Sequence, residues 1–356
     1  MNSRDNTSGL SKQYNWNLLS LYRDELFGIS IISIMILHYC KDVLGETDVP
    51  KLLYYFAYGW EKIIGSIGVD VFLFLSGIGL YYSMTKNCGI SEFYSRRFKR
   101  VLEPYLIFGL FFWVFYDFIY YPQSIGRFLL DYSLLAFWFV ENHHFWYLSV
   151  CIPMYLIFPL IFQIVKEQDL LMRRKKEVIL LILSLLSVFF ISLLFPQWYS
   201  MTEIGLCRFF AFLLGCFVAR LVYEKKQLKN IWALVLSGIV LRLIVLLLKQ
   251  GGKNILWLSI NLPFNRWILT LFALSLMLLC VVVLDSFQLE KVKKILKWIG
   301  NYSLELYITH ISIRIFLHYL GLKTYLPHIH LIGVIVPSFI MSVLLRRVTS
   351  ILFHHK

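Results

Sequence analysis

Gly65-Ser-Ile-Gly-Val-Asp-Val-Phe-Leu-Phe-Leu-Ser-Gly77 lies inside an apolar run over 62–83, and the basic group Arg96-Arg97-Phe98-Lys99-Arg100 follows it closely. A run of this kind supplies the roughly 20 residues that an α-helix needs to cross a bilayer. Lys and Arg just beyond it match the positive charge that flanks membrane spans on one side. The small residues in the run allow neighbouring helices to approach closely. Its single carboxylate, Asp70, is therefore expected to face protein or water rather than lipid.

Working outward from this run, comparable apolar stretches occur at 26–43, 101–121, 144–165, 177–195, 206–223, 231–249, 266–285, 301–320 and 329–346. The segment 126–140 is apolar but shorter, and reads as an interfacial or re-entrant piece. The expectation is an all-α polytopic bundle of about ten spans over 26–346, with a short segment 1–25 before it and a tail 347–356 after it. Composition agrees. Charged residues make up 16% of the 356, against about a quarter in soluble domains. Hydrophobic residues reach 59% and aromatics 17%, as expected where Trp and Tyr populate membrane interfaces.

Charge tests the number of crossings. Assigned to alternate sides of ten spans, Lys and Arg number 24 on the side of both termini and 8 on the other. A span miscounted in the middle would reverse the bias in the later loops, and no reversal occurs. Both termini are therefore expected in the cytoplasm, with the chain in the cell (inner) membrane. The net charge of +14 comes from short clusters between apolar runs and not from one continuous face, which argues against nucleic acid as a partner.

The six cysteines are scattered, with no CxxC pair and no Cys/His metal spacing, so they read as small buried thiols. No Walker loop, GxSxG elbow or metal-ligand cluster is present, and no removable signal peptide is read at the start; the first span itself would direct insertion.

Ionisable groups inside a span are costly and mark a site, a relay or a structural pair. Here they are His38, Asp70, Glu103, Arg208, Arg242, Glu305, His310 and Arg314. At 1.5 Å per residue, His38 stands about 18 Å into the first span, Asp70 about 12 Å in from the far end of the second, and His310 about 14 Å up the ninth. These depths suit one internal cavity.

His38 near the end of the first span, Gly68-Val-Asp-Val-Phe followed by Ser76-Gly77, and Arg96-Arg97-Phe-Lys-Arg100 leading into Pro104-Tyr105 together resemble the acyltransferase 3 family of bacterial membrane acyltransferases. His144-Phe-Trp-Tyr-Leu148, Phe209 to Gly215, and Gly300-Asn-Tyr-Ser-Leu-Glu-Leu-Tyr-Ile-Thr-His310 continue the likeness in order. The resemblance implies a ten-helix O-acyltransferase, usually an acetyltransferase, that modifies exopolysaccharide, capsule or another surface glycan. The family's first-span histidine corresponds to His38. Its usual arginine eleven residues earlier corresponds to Phe27, and the nearest arginine is Arg23. Longer members add an extracellular hydrolase-like domain. Without one, transfer would be completed by the membrane domain or by a separate glycan-assembly partner.

Chemistry gives these residues roles. Making an ester from a thioester needs a base for the hydroxyl proton, and imidazole suits that task near neutral pH. His38 is the candidate base, with Asp70 as its orienting partner. Acetyl-CoA or another acyl-CoA, a substrate and not a resident cofactor, is anionic and cytosolic, so Arg96, Arg97 and Arg100 are its candidate cradle. His144, Trp146, Tyr307 and His310 are candidate contacts for a polysaccharide or lipid-linked glycan acceptor. Each has a plainer reading: Asp70 as a helix-to-helix lock, the arginines as a topology signal, His143 and His144 as interface residues, and His310 as part of a polar network with Glu305 and Arg314. A transporter or flippase exporting a glycan is the competing class, because mid-membrane polar groups suit it equally well.

Overall fold

A computed structural model describes residues 13–86, 89–251 and 263–353. Cys88, Lys253, residues 1–12 of the first segment and 354–356 of the tail lie outside the described residues. Among the described residues nine helices are long and apolar enough to cross a membrane: α1 Arg23–Leu44, α2 Lys51–Met84, α3 Ile90–Tyr120, α4 Trp146–Val165, α5 Leu170–Leu194, α6 Pro196–Tyr223, α7 Ile231–Gly251, α8 Phe264–Ser286 and α11 Pro327–Phe353. Between α8 and α11 lie α9, Glu290–Asn301, and α10, Ser303–Tyr319. At 17 residues α10 is about 25 Å long, near the lower limit for a span, and most of it is buried in the bundle. The expected all-α bundle is what the chain forms. Among the described residues the only strands are Tyr14–Asn15 and Gln227–Leu228, paired antiparallel, which tie the start of the chain to the turn between α6 and α7.

Several helices run further than the apolar pattern indicates. α2 begins at Lys51, passes through a π-helical turn at Trp60–Ile64, and breaks at Gly65, whose φ of +57° a residue with a side chain rarely adopts. α3 starts at Ile90, so Arg96, Arg97 and Arg100 stand on its first turns and not in a loop. α6 starts at Pro196 and is interrupted at Cys207 and Arg208, which makes 196–205 helical. The stretch 286–300 contains α9, a basic amphipathic helix and not an open loop. The piece at 126–140 forms two short helices, Ile125–Tyr132 and Ala136–Phe139, too short to span.

The bundle centres on α2, whose most apolar stretch is 67% buried, whereas α5, at 11%, presents its apolar side chains outward. Glycines set the tightest packing. A Cβ on Gly77 would fall 2.7 Å from the Cys216 nitrogen and the Phe212 oxygen, and one on Gly215 would overlap the Phe74 carbonyl, so α2 and α6 are in backbone contact. Gly28 and Gly300 pack α9 against the start of α1 in the same way.

Contacts between distant residues define the two ends of the bundle. At one end Arg97 of α3 donates to the Gly79 carbonyl of α2, Arg220 of α6 to the Glu167 carbonyl beyond α4, and Arg346 of α11 to Glu305 of α10. At the other, Arg314 of α10 meets Asp42 of α1, Arg266 of α8 meets Glu203 of α6, and Arg242 of α7 meets the Lys62 carbonyl of α2. The first is called the basic end below.

Candidate active site

His38 sits near the far end of α1, because the unbroken helix from Arg23 carries it there, and its half-buried ring lines a cavity of about 600 Å³ opposite the basic end. The same cavity is lined by His144 and Trp146 from the start of α4 and by Tyr307 from α10. Four of the residues singled out in the sequence thus converge on one space. His310 stands behind them at 1% exposure.

The hydrogen bonds of His310 fix the chemistry of His38. His310 Nδ1 lies 2.6 Å from the Leu306 carbonyl oxygen, which only accepts, so Nδ1 carries the proton. Neutral His310 then offers Nε2 as an acceptor. His38 Nδ1, 2.9 Å from it, must be the donor. The neutral His38 tautomer that satisfies both bonds leaves Nε2 unprotonated. One imidazole is held by another in the form a base requires.

Asp70 does not take part in this arrangement, which corrects the expected His38–Asp70 pair. At 2% exposure, it accepts from Arg208 Nε at 3.3 Å and from Thr270 Oγ1 at 2.6 Å. Arg208 also binds Ser66 and the Ile204 carbonyl, and its guanidinium packs 5.1 Å from the Trp146 ring centre. Asp70 therefore acts as a strut between α2, α6 and α8 that holds Arg208 against Trp146. The polar network expected around His310 is likewise divided. Glu305 pairs with Arg346 at the basic end, and Arg314 pairs with Asp42, which also accepts from Thr324.

His144 is fixed by its backbone, which donates to Asn142 Oδ1 at 2.9 Å, and its ring lies against Phe112, Trp113 and Tyr116. His143 bonds the Met201 carbonyl at 2.8 Å. Asn142 in turn donates to Asp131, which also holds Arg127, so the short helices after α3 brace the loop that carries both histidines.

Arg96, Arg97 and Arg100 come together at the basic end around a cavity of about 420 Å³, with Arg23 from α1 and Lys86. Arg96 is partly engaged by Glu92 and the Ser83 carbonyl, whereas Arg97 is held at Gly79 and Arg100 lies exposed at the rim. Arg23 is the arginine nearest to Phe27, the position where the family usually has one. It stands one helical turn before Phe27, its guanidinium 5.4 Å from the Phe27 ring, and it reaches the same cavity. A smaller adjoining pocket leads inward from Arg23, Arg97 and Arg100 past Phe27 and Phe72 to Tyr147. The Tyr147 backbone donates to Tyr307 Oη at 3.3 Å, so the walls of the two cavities meet at this pair.

Sequence reasoning singled out Arg242 without giving it a role and passed over Asp42 and Arg266, although rarity of charge within spans was the signal that could have found them. No group of metal-ligating side chains occurs among the described residues. In comparisons with known proteins, the acyltransferase 3 family model, described as an acyltransferase domain, matches residues 28–347. No curated protein and no solved structure matches the chain.

Proposed function

Because the chain belongs to the acyltransferase 3 family, whose membrane acyltransferase domain fills nearly its whole length, we propose that it acetylates a hydroxyl of a cell-surface glycan from acetyl-CoA, with His38 as the base. The observation that carries this reading is the His38–His310 pair, which leaves Nε2 unprotonated on a histidine that lines a cavity.

The donor enters from the basic end, which we assign to the cytosol together with both termini. Arg23, Arg97 and Arg100 hold the CoA phosphates through charge-assisted hydrogen bonds. Arg23 and His38 are fifteen residues apart on one helix, about 22 Å, a span on the order of an extended pantetheine arm. The arm follows the pocket lined by Phe27, Phe72 and Tyr147 and presents its thioester near Tyr307.

The acceptor occupies the opposite cavity. His38 Nε2 takes the hydroxyl proton as the oxygen attacks the thioester carbonyl, the carbon–sulfur bond breaks, and the imidazolium returns that proton to the departing sulfur. An ester and free CoA result. Tyr307 Oη accepts from Tyr147, which leaves its own proton to donate to the oxyanion that develops at the carbonyl.

The test uses purified protein in sealed vesicles of known orientation. Acetyl-CoA is supplied on the side of the basic end and a glycan acceptor on the other. CoA release coupled to ester on the glycan is expected. Movement of glycan without CoA release would make the protein a transporter.

A further inference from the structure

Most arginines buried or half-buried at the end opposite the basic one have a carboxylate. Arg208 has Asp70, Arg266 has Glu203, and Arg314 has Asp42. Arg242 on α7 is the exception. It is 5% exposed, and among the described residues its guanidinium meets only neutral acceptors, the Lys62 carbonyl and Asn265 Oδ1 at 3.4 Å, while Nε has no partner there. A buried cation without a counter-ion is costly, more so at membrane depth, and such a residue marks a place where charge is compensated by something else.

Arg242 lines the cavity that contains His38, on the wall formed by α7, α8 and the π-helical turn of α2. Lys41 and Lys62 face the same space, and the carboxylate beside them, Glu61, lies 3.8 Å from Lys62 Nζ and so is matched by that lysine. Glu203 is occupied by Arg266. After these pairings the cavity keeps an excess of positive charge, carried by Arg242 in its wall and Lys41 at its mouth.

We infer that Arg242 is an anion receptor for the acceptor: the glycan reaches His38 while an oxyanion that it carries is bound at Arg242. Resting on the acyltransferase reading above, this narrows the acceptor to an acidic one. The oxyanion is either a sugar carboxylate or the phosphate that joins a glycan to a lipid carrier, and both offer the acceptor oxygens a guanidinium binds. Arg242 is a binding residue in this account and touches no reacting atom.

Binding is measured on the full chain in neutral-lipid nanodiscs, with no acetyl-CoA present, so that failure of transfer and failure of this site are read separately. The probes are a uronic-acid tetrasaccharide against its carboxyl-reduced form, and farnesyl diphosphate against farnesol. One anionic probe is expected to bind in a salt-sensitive way and its neutral counterpart much more weakly. The pair that discriminates identifies the source of the oxyanion. Arg242→Gln should weaken that binding roughly ten- to a hundredfold, the worth of one charge-assisted hydrogen bond, with Arg242→Lys intermediate. A melting curve for each variant separates this from a structural role. Equal binding of charged and neutral probes, no binding of either anion, or full affinity in a folded Arg242→Gln protein would each overturn the assignment. His38→Gln should bind the anionic probe as the wild type does, and a matching loss there would also overturn a separate anion site.

Discussion

The two ends of the bundle use charge in opposite ways. Around the cavity at the basic end, Arg97 is held by a backbone carbonyl and Arg100 stands exposed at the rim, so their positive charge is offered to whatever enters. At the other end Arg208, Arg266 and Arg314 are each tied to a carboxylate on a different helix. Unpaired charge near water costs little and can bind a multiply charged ligand. Charge deep in the bundle is costly unless matched, and the matched pairs fix the positions of α1, α2, α6, α8 and α10 around His38. The far end holds its helices through these pairs, with Arg242 outside them, whereas Arg97 and Arg100 line a cavity at the basic end.

The comparison breaks most visibly if His310 is not a holder. His310→Ala removes the acceptor that sets the His38 tautomer, and should lower glycan acetylation by up to about 10⁴-fold, the effect of disturbing the orienting member of a catalytic triad. His310→Gln keeps an acceptor oxygen and should recover part of that loss. Equal activity in the Ala and Gln variants, measured at matched protein abundance, would remove the orienting role.

Next in size is the Asp70 strut. Asp70→Ala leaves Arg208 buried and unpaired, which should cost about 3–5 kcal/mol of stability, read as a lowered melting temperature and less folded protein. The double change Asp70→Leu with Arg208→Met should restore much of it. Were Asp70→Ala to melt normally and lose only activity, Asp70 would be an orienting residue after all.

The smallest effect belongs to the binding end. Arg97→Ala with Arg100→Ala should raise the KM for acetyl-CoA roughly ten- to a hundredfold and leave kcat nearly unchanged, because these contacts act on donor binding and not on the transferring atoms. Insertion should be checked in the same protein by cysteine accessibility, since basic residues also direct topology. An unchanged KM with normal insertion would reduce the arginines to a topology signal.

Much of this was legible in the residue pattern, for physical reasons. Bilayer thickness makes spans readable as apolar runs, and sidedness makes Lys and Arg alternate, so the bundle follows from hydropathy and charge. Helix ends were less legible. Lys51–Gly59 is apolar but too short to be read as a span, and the first turns of α3 and α5 carry polar residues, yet all three continue the helices beyond the long apolar runs. Pairings were not legible at all. His38 and His310 are 272 positions apart, as are Asp42 and Arg314, and Asp70 meets partners 138 and 200 positions away. A sequence shows that a buried charge needs a partner, but the helix packing decides which. Asp70 looked like a mate for His38 on depth alone, and Arg208 is what fills its side of α2.

The central claim is that His38 Nε2 removes the acceptor proton, and His38→Gln tests it most directly. Glutamine retains polarity and hydrogen bonding but cannot take a proton near neutral pH. With wild-type and variant protein in the same lipid at matched abundance, ester formation on the glycan is followed together with CoA release. The account predicts a fall of about 10²–10⁴-fold in the variant, with acetyl-CoA binding unchanged. Transfer by folded His38→Gln at more than about a tenth of the wild-type rate would contradict it and move the base to another residue.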